Sequence, residues 1–319
     1  MAYIDIFNGD ADGICALTQL RNAEPIESTL VTGVKRDIAL VAKAEIAEGD
    51  QMTVLDLSFD KNRQGVVEAL RAGAEIFYVD HHFAGDIPAD DRLTTIIDTD
   101  PNMCTSLLVN GYLRGRYVEW AVTGAFGDNL KASARAHAKP LGLSEERVTL
   151  LERLGICINY NGYGSSLQDL HFTPADLYEL VRPYPTPFAF IEGAPETFEK
   201  LESGYRNDMA LAGAVKPVRA SDKTAVFILP DEPWARRVSG VYSNDLANTW
   251  PGRAHAVLTE RADGTYLVSV RAPLENKQGA DELCRKFQTG GGRGAAAGIN
   301  ALPDDQLDAF IDALEASYR

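Results

Sequence analysis

The stretch that decides the fold is Ala74-Glu75-Ile76-Phe77-Tyr78-Val79-Asp80-His81-His82. Its first six residues form a largely apolar run that is typical of a buried β-strand. The run stops at one carboxylate and two imidazoles, and all three groups can bind a metal ion. The stretch therefore predicts a strand whose end carries part of a metal site.

Two other predicted strands end in the same way. Tyr3-Ile4-Asp5-Ile6-Phe7 runs into Asn8-Gly9-Asp10-Ala11-Asp12-Gly13, and Met52-Thr53-Val54-Leu55 runs into Asp56. Asp128 follows a later apolar segment. Because the carboxyl ends of parallel strands line one crevice of an open α/β sheet, we expect these segments to converge. The convergence predicts an acidic, histidine-containing pocket that holds two metal ions.

Strand-like and helix-like segments alternate through the first half of the chain. After the first strand, Ile14, Leu17 and Leu20 have helical spacing. A second helical segment near 61–72 separates the strands that end at the single aspartate and at the aspartate-histidine-histidine run. This rhythm is typical of an α/β fold, with a mostly parallel sheet and helices on both faces.

Proline and glycine mark a boundary between two domains. They concentrate at residues 183–187 and 193–195, and a helical pattern follows. Farther on, Asp263-Gly264 between two strand-like runs predicts a hairpin in a smaller C-terminal α+β domain. The expected bounds are 1–195 for a metal-binding catalytic domain, 196–215 for a helical linker and 216–319 for a substrate-binding domain.

The net charge restricts the partners. The chain has 31 Lys and Arg against 46 Asp and Glu, which gives a net charge of −15. Proteins that bind long duplex nucleic acid draw most of the affinity from cations that neutralise phosphates, so we do not expect that partner. A small phosphorylated substrate, held by a few local cations, fits an acidic protein better.

Composition and cysteine usage indicate an ordinary globular protein. Hydrophobic residues make up 45% of the chain and charged residues 24%. No apolar run has membrane-spanning length, and the N-terminus lacks the layout of a signal peptide. Cys15, Cys104, Cys157 and Cys284 are too scattered for a disulfide framework or a zinc site. We expect reduced, packed thiols, a cytoplasmic location and no membrane partner.

The strand-end motifs, taken together, resemble a known family. Asn8 to Gly13, Asp56, Asp80-His81-His82 and Asp128 are similar, in order and spacing, to the four motifs of the DHH phosphoesterase superfamily. That family includes RecJ-type exonucleases, nano-RNases that also dephosphorylate pAp, cyclic-dinucleotide phosphodiesterases and, more distantly, family II pyrophosphatases. The later run Thr289-Gly290-Gly291-Gly292-Arg293-Gly294 resembles the glycine-rich signature of the DHH-associated domain.

The resemblance implies a set of metal ligands. One ion would lie between Asp10 and Asp56, and Asp56 would bridge to a second ion. Oxygen and imidazole ligands without thiolates suit Mn²⁺, with Mg²⁺ or Co²⁺ as substitutes, and we expect two Mn²⁺ ions. The implied metal ligands are Asn8, Asp10, Asp12, Asp56, His81 and Asp128.

The resemblance also implies catalytic roles and shows one departure. His82 would face the scissile phosphate or orient the ligands, Asp80 would fix an imidazole tautomer, and Asp56 would join the two metal sites. Asn8 stands where family members commonly have histidine, and its carbonyl oxygen is a weaker ligand for a transition ion. The first metal site is therefore expected to be looser, or the enzyme slower.

Several basic and glycine residues are candidates for substrate binding. Glycine backbone can approach a phosphate closely and donate N–H groups, and an arginine beside it adds forked donors. The alternatives are a solvated strand-end charge, an exposed loop pair, and a flexible glycine turn before an alanine-rich helix. The candidates are Arg271, Gly290, Gly291, Gly292, Arg293, Lys35 and Arg36.

The function that these expectations favour is hydrolysis of phosphodiester bonds in short oligonucleotides or nucleotide-like small molecules by metal-activated water. Alternatives within enzymes are a pAp-type phosphatase and a cyclic-dinucleotide phosphodiesterase. Asn8 motivates an alternative of another class, a catalytically weakened nucleotide-binding protein. A homodimer is compatible with all of them, and a long-polymer exonuclease is disfavoured by the acidic charge.

Overall fold

The computed structural model describes all 319 residues and divides into two compact units, 1–203 and 204–319. Five parallel strands form the sheet of the first unit. The strands are β1 Tyr3–Phe7, β2 Thr29–Val31, β3 Gln51–Leu55, β4 Glu75–Asp80 and β5 Leu93–Ile97. Their spatial order is β2-β1-β3-β4-β5. In register, Phe7 lies beside Leu55 and Leu55 beside Val79, so the three central strands end at one level.

Helices cover both faces of this sheet. They are α1 Ala11–Ala23, α2 Phe59–Ala72, α3 Thr105–Tyr112, α4 Val118–Gly127, α5 Lys131–Ala138, α6 Glu145–Gly162, α7 Pro174–Val181 and α8 Pro187–Gly193, followed by α9 Pro195–Ala214. Because side chains alternate along a strand, Ile6 and Val54 face α2, where they share a buried core with Val66. The opposite face carries Asp5, which forms a buried ion pair with Arg21 of α1.

The second unit is built on a six-stranded mixed sheet. Its elements are β6 Arg219–Ala220, β7 Thr224–Leu229, α10 Pro233–Thr249, β8 Ala254–Glu260, β9 Thr265–Arg271, α11 Ala280–Cys284, β10 Gly290–Arg293, β11 Ala296–Pro303 and α12 Leu307–Ser317. The strand order is β10-β11-β9-β8-β7-β6. Only β7 and β8 pair in parallel, and α10 connects them. The buried core on one face joins Val268 and Val270 of β9 to Leu283 of α11 and Phe310 of α12.

The expected α/β fold with a smaller C-terminal domain is confirmed. The boundary between the units falls inside α9, where the sequence predicts a helical linker. All four cysteines are free and buried, as expected. None of the helices is both long and apolar enough to cross a bilayer.

The alternative reading of the glycine run as a turn before an alanine-rich helix is wrong. Residues 290–293 and 296–303 are paired antiparallel strands, with Gly290 opposite Ile299 and Arg293 opposite Ala296. Cross-strand pairing to β9 on the other side of β11 outweighs the high helix propensity of alanine. The glycines therefore form an edge strand of the sheet.

Candidate metal centre

The first motif forms the N-terminus of α1. Asp10 is the N-cap, and its Oδ1 accepts hydrogen bonds from the backbone N–H of Asp12 at 3.0 Å and of Gly13 at 3.1 Å. A Cβ on Gly13 would lie 2.2 Å from the backbone oxygen of Asn8, so only glycine allows the chain to turn this tightly. The motif spacing thus places two carboxylates within one helical turn.

Asp12 holds the start of α3. Its two carboxylate oxygens accept hydrogen bonds from the backbone N–H groups of Thr105, at 2.8 Å, and Ser106, at 2.7 Å. The hydroxyl of Ser106 donates in turn to the backbone oxygen of Asp12 at 2.8 Å. Asp12 therefore meets the positive end of a helix, which stabilises a buried negative charge.

Asp56 lies at the centre of the acidic cluster. Its φ of 58° is in the left-handed region, which turns the chain sharply after β3. Burial raises the pKa of this carboxyl well above its usual value, and the charges of Asp10, Asp12, Asp128 and Asp80 raise it further. A cation bound beside this carboxyl would oppose both effects and favour its charged form.

His81 presents its Nε2 nitrogen to the cluster. Its Nδ1 lies 2.9 Å from the backbone oxygen of Met103, and because a carbonyl only accepts, Nδ1 carries the proton. In the neutral ring, Nε2 then has no proton, and its lone pair can bind a cation. It lies 3.4 Å from Asp56 Oδ1, 4.0 Å from Asp12 Oδ2 and 3.9 Å from Asp128 Oδ2.

These separations fit a single small cation. Ligands about 2.1 Å from an octahedral ion stand roughly 3–4.2 Å apart, which is the range observed around Nε2 of His81. The donors are one imidazole and three carboxylates, a set that suits Mn²⁺ or Mg²⁺. Ligand atoms of Asp56, His81 and His82 also lie within 4.8 Å of one another. The residues present therefore fit a divalent ion.

Asp80 and His82 form a pair beside the cluster. Nδ1 of His82 lies 2.7 Å from Asp80 Oδ1, and the His82 ring packs 4.3 Å from that of His81, centroid to centroid. Asp80 is fully buried, and its second oxygen has no hydrogen-bond partner. A carboxylate in this position orients the imidazole.

Lys35 lies inside the acidic cluster. Its ammonium nitrogen is 2.5 Å from Asp10 Oδ2, 4.0 Å from Asp128 Oδ1 and 2.9 Å from Asn159 Oδ1. Burial raises the pKa of Asp10, but the Lys35 charge and hydrogen bond, with smaller help from Gly13 and Asp56, bring it down to about 2. The pKa of Asp128 is raised by burial, although the charges of His81 and Lys35 oppose this.

Asn8 and Arg36 are close in sequence to Asp10 and Lys35. The amide nitrogen of Asn8 donates to the backbone oxygen of Lys35 at 3.4 Å, and its buried amide oxygen has no hydrogen-bond partner. Arg36 is exposed in the turn that follows Lys35. Lys35, one of the two basic residues predicted here to bind substrate, has its side chain among the acidic residues.

In the second unit, the two predicted arginines lie in one row across three strands. Arg271 of β9 and Arg293 of β10 are both directly opposite Ala296 of β11, so their side chains leave the same face of the sheet about 10 Å apart. Arg271 Nε donates to Asn244 of α10 at 2.8 Å. Arg293 is exposed.

The three predicted glycines of this unit have different surroundings. A Cβ on Gly290 would lie 1.8 Å from the backbone oxygen of Cys284, and one on Gly292 would lie 2.5 Å from Cα of Ala297. Nothing lies within 4 Å of the corresponding point at Gly291. Packing therefore explains the first and third glycines, and Gly291 alone leaves open space for a ligand.

The structure brings the acidic and imidazole residues of the four motifs together at one edge of the sheet. Two further residues that the motifs do not include contact the cluster: Thr105, whose hydroxyl donates to Asp56 Oδ1 at 3.3 Å, and Asn159 of α6, whose Oδ1 accepts from Lys35 at 2.9 Å. The carbonyl of Met103, which lies 2.9 Å from Nδ1 of His81, is also outside the motifs. The apolar run that precedes Asp80 gives no sign of a backbone oxygen contributed by a distant part of the chain.

The fold and the acidic edge of the five-stranded sheet define a class of protein. Its members have an open parallel α/β unit with carboxylates and imidazoles at the strand ends, followed by a mixed-sheet unit. The sequence matches no protein-family model and no curated protein. Solved structures do match, over 99% of the chain. The chain has a RecJ-like fold, which the order of its motifs predicted.

Three of these structures give the extent of the likeness. An exonuclease RecJ bound to manganese has a TM-score of 0.63 and 17% identity, with 89% of that chain covered. RecJ from Thermus thermophilus in complex with Mn²⁺ has a TM-score of 0.65 and 18% identity, and the match spans 52% of it. The pGpG-specific phosphodiesterase PggH from Vibrio cholerae has a TM-score of 0.58 and 16% identity, with 100% covered. At these identities the likeness establishes the fold alone.

Proposed function

We propose that the protein is a divalent-metal-dependent phosphoesterase. One observation carries the proposal: Nε2 of His81 faces three carboxylate oxygens at 3.4, 4.0 and 3.9 Å. A cation would offset the repulsion between the carboxylates around Asp56, and the spacing of the ligand atoms suits a divalent ion. Asp12, Asp56, His81 and Asp128 would hold that ion, and Mn²⁺ is the first candidate because both RecJ neighbours bind it.

The ion, when bound, would stabilise charge on the phosphoryl oxygens and activate water for attack at phosphorus. His82 would supply the proton that the leaving oxygen needs. With Nδ1 bonded to Asp80, that transfer would use Nε2, and the buried carboxylate of Asp80 would stabilise the imidazolium beforehand. Met103, through its carbonyl, keeps His81 in the tautomer that binds a cation.

The substrate class we propose is a short oligonucleotide or a dinucleotide-like molecule. One neighbour is an exonuclease and another acts on pGpG, so both substrates carry phosphodiester bonds between nucleotides. The net charge of −15 opposes binding to long duplexes. In the second unit, the row of Arg271 and Arg293 beside the open backbone of Gly291 would bind a phosphate of the substrate.

A catalytically weakened nucleotide-binding protein is the second candidate. It is favoured by Asn8, which replaces an imidazole, and by Lys35, whose ammonium already neutralises Asp10. In this case the arginine row would still bind nucleotide, but phosphodiester hydrolysis would be absent. We also propose a cytoplasmic location, because all four cysteines are free and buried.

A substrate panel tests the proposal. Labelled di- to pentanucleotides, pGpG, pAp and a cyclic dinucleotide would be incubated with Mn²⁺, Mg²⁺ or Co²⁺. We expect hydrolysis of at least one linear nucleotide with Mn²⁺, none after chelation, and background activity for Asp56→Ala. Asp91→Ala, which removes an exposed carboxylate outside the cluster, serves as the control. Calorimetry that shows nucleotide binding without turnover at saturating Mn²⁺ would favour the second candidate.

A further inference from the structure

The two predicted metal sites have different surroundings. Around His81, Nε2 faces three carboxylate oxygens at 3.4, 4.0 and 3.9 Å, and no lysine or arginine lies within ion-pair distance of the nearest of them, Asp56. Around Asp10, a cation is already present, because the ammonium of Lys35 lies 2.5 Å from Oδ2 and 2.9 Å from the amide oxygen of Asn159. The ring of Tyr163 lies 5.3 Å from the same nitrogen, at the distance of a cation–π contact.

Neither oxygen of Asp10 is without a donor. Oδ1 caps α1 through two backbone N–H groups, and Oδ2 forms the ion pair with Lys35. A divalent ion at this place would have to displace the ammonium or lie against it, and like charges at contact distance repel strongly in a buried site.

The position of Lys35 is set by its backbone as well. Its N–H donates to the backbone oxygen of Gly162 at 2.8 Å, and its carbonyl accepts from the amide nitrogen of Asn8 at 3.4 Å. The contact with Asn8 is informative, because this is the residue that stands where related chains commonly have histidine. Here that side chain holds the lysine segment through its nitrogen, while its oxygen is a weak ligand.

We infer that the ammonium of Lys35 takes the place of the first of the two metal ions that the motifs predict, so that each chain binds one divalent ion. This inference rests on the proposed function for the remaining ion. Lys35 would then be a positioning residue that fixes Asp10 and Asp128 and supplies a positive charge that chelation does not remove. Lysine suits this role, since its charge is compact and its ammonium can donate to both Asp10 and Asn159 while it lies 4.0 Å from Asp128.

Metal stoichiometry tests the inference. Calorimetric titration with Mn²⁺ and electron paramagnetic resonance of the loaded protein would compare the wild type with the double variant Asn8→His/Lys35→Met. The double variant removes the charge, keeps an unbranched side chain that is one atom shorter, and adds an imidazole. Lys43→Met is the matched control, because Lys43 also forms an ion pair, with Asp37, but is exposed and lies outside the cluster.

We expect one uncoupled Mn²⁺ per chain in the wild type and in Lys43→Met, and two exchange-coupled ions in the double variant. Two coupled ions in the wild type would overturn the inference and leave the proposed function intact. One ion in a folded double variant would also overturn it, because Lys35 would then not be what excludes the second ion. No bound ion in the wild type would overturn the proposed function together with the inference.

A second measurement uses the wild type alone, in case the double variant does not fold. Amine acetylation followed by mass spectrometry reports whether each lysine is engaged. We expect Lys35 to stay protected with and without saturating Mn²⁺, while the exposed Lys43 reacts in both states. If Mn²⁺ makes Lys35 react as fast as Lys43, the ion has displaced the ammonium and the inference is wrong.

Discussion

Replacing Asp56 by asparagine should stabilise the metal-free protein. The new amide would remove the charge from the centre of the acidic cluster and could still accept the hydrogen bond from Thr105. Asparagine is also the non-glycine residue that best tolerates the left-handed conformation, here a φ of 58°. The substitution therefore changes the charge while the backbone and the neighbouring contacts stay as they are.

The size of the effect follows from the pKa of Asp56, which burial and then the neighbouring carboxylates raise well above its usual value. Each tenfold change in the acid dissociation constant is worth about 1.4 kcal/mol, or roughly 3–6 °C in Tm for a unit of this size. We expect the gain at neutral pH to be at least of this order.

The pH dependence of the gain has a definite sign. Because the folded-state pKa of Asp56 is raised, the metal-free wild type keeps this part of its stability below the unfolded-state pKa, about 3.9. It loses that part as the pH rises from there to the folded-state pKa. The advantage of Asp56→Asn should therefore appear across this window and stay constant above it.

Thermal melts in chelator and in Mn²⁺ would measure the effect. In chelator the variant should melt at a higher temperature than the wild type. In Mn²⁺ the order should reverse, because an ion at about 100 times its Kd adds about 2.7 kcal/mol to the wild type alone. Asp50→Asn is the control with the opposite sign: the Asp50 carboxylate accepts from Ala2 and Ala47, which lower its pKa, so this variant should melt lower in both conditions. A metal-free Asp56→Asn protein that is less stable than the wild type would refute the reasoning.

Two further predictions concern the catalytic pair and the helix packing. Asp80→Asn should lower kcat about 10–100-fold while Mn²⁺ stoichiometry is retained, because His82 loses the carboxylate that orients it; steady-state kinetics with calorimetry would show this, and an unchanged kcat would contradict it. Gly124→Ala should destabilise the fold by about 1–3 kcal/mol, because its Cβ would lie 2.2 Å from Ser106 Oγ. Gly111→Ala, with nothing within 4 Å, should gain about 0.4–1 kcal/mol, and chemical denaturation would compare the two.

The sequence carries enough information to predict the convergence of the four motifs. An apolar run predicts each strand, and the polar residue that ends the run can be identified in the sequence. Parallel pairing then places Asn8, Asp56 and Asp80 side by side at the carboxyl ends of their strands, in agreement with the observed register of β1, β3 and β4.

The partners of these residues could not be predicted in the same way. In the sequence, Lys35 cannot be told from an exposed charged residue in a loop. Its contact with Asp10 depends on the positions of Asn159 and Tyr163, which lie in and just after α6. The Met103 carbonyl has no side-chain signal at all. The strand pairing of residues 290–303 depends on long-range contacts with β9, which override local propensity in a run of glycine and alanine.

Anomalous diffraction from crystals grown with Mn²⁺ would test the central claim most directly. The account predicts a manganese peak bounded by Asp12, Asp56, Asp128 and Nε2 of His81, each within coordination distance. Crystals that diffract well, with these side chains ordered and no anomalous peak among them, would contradict it.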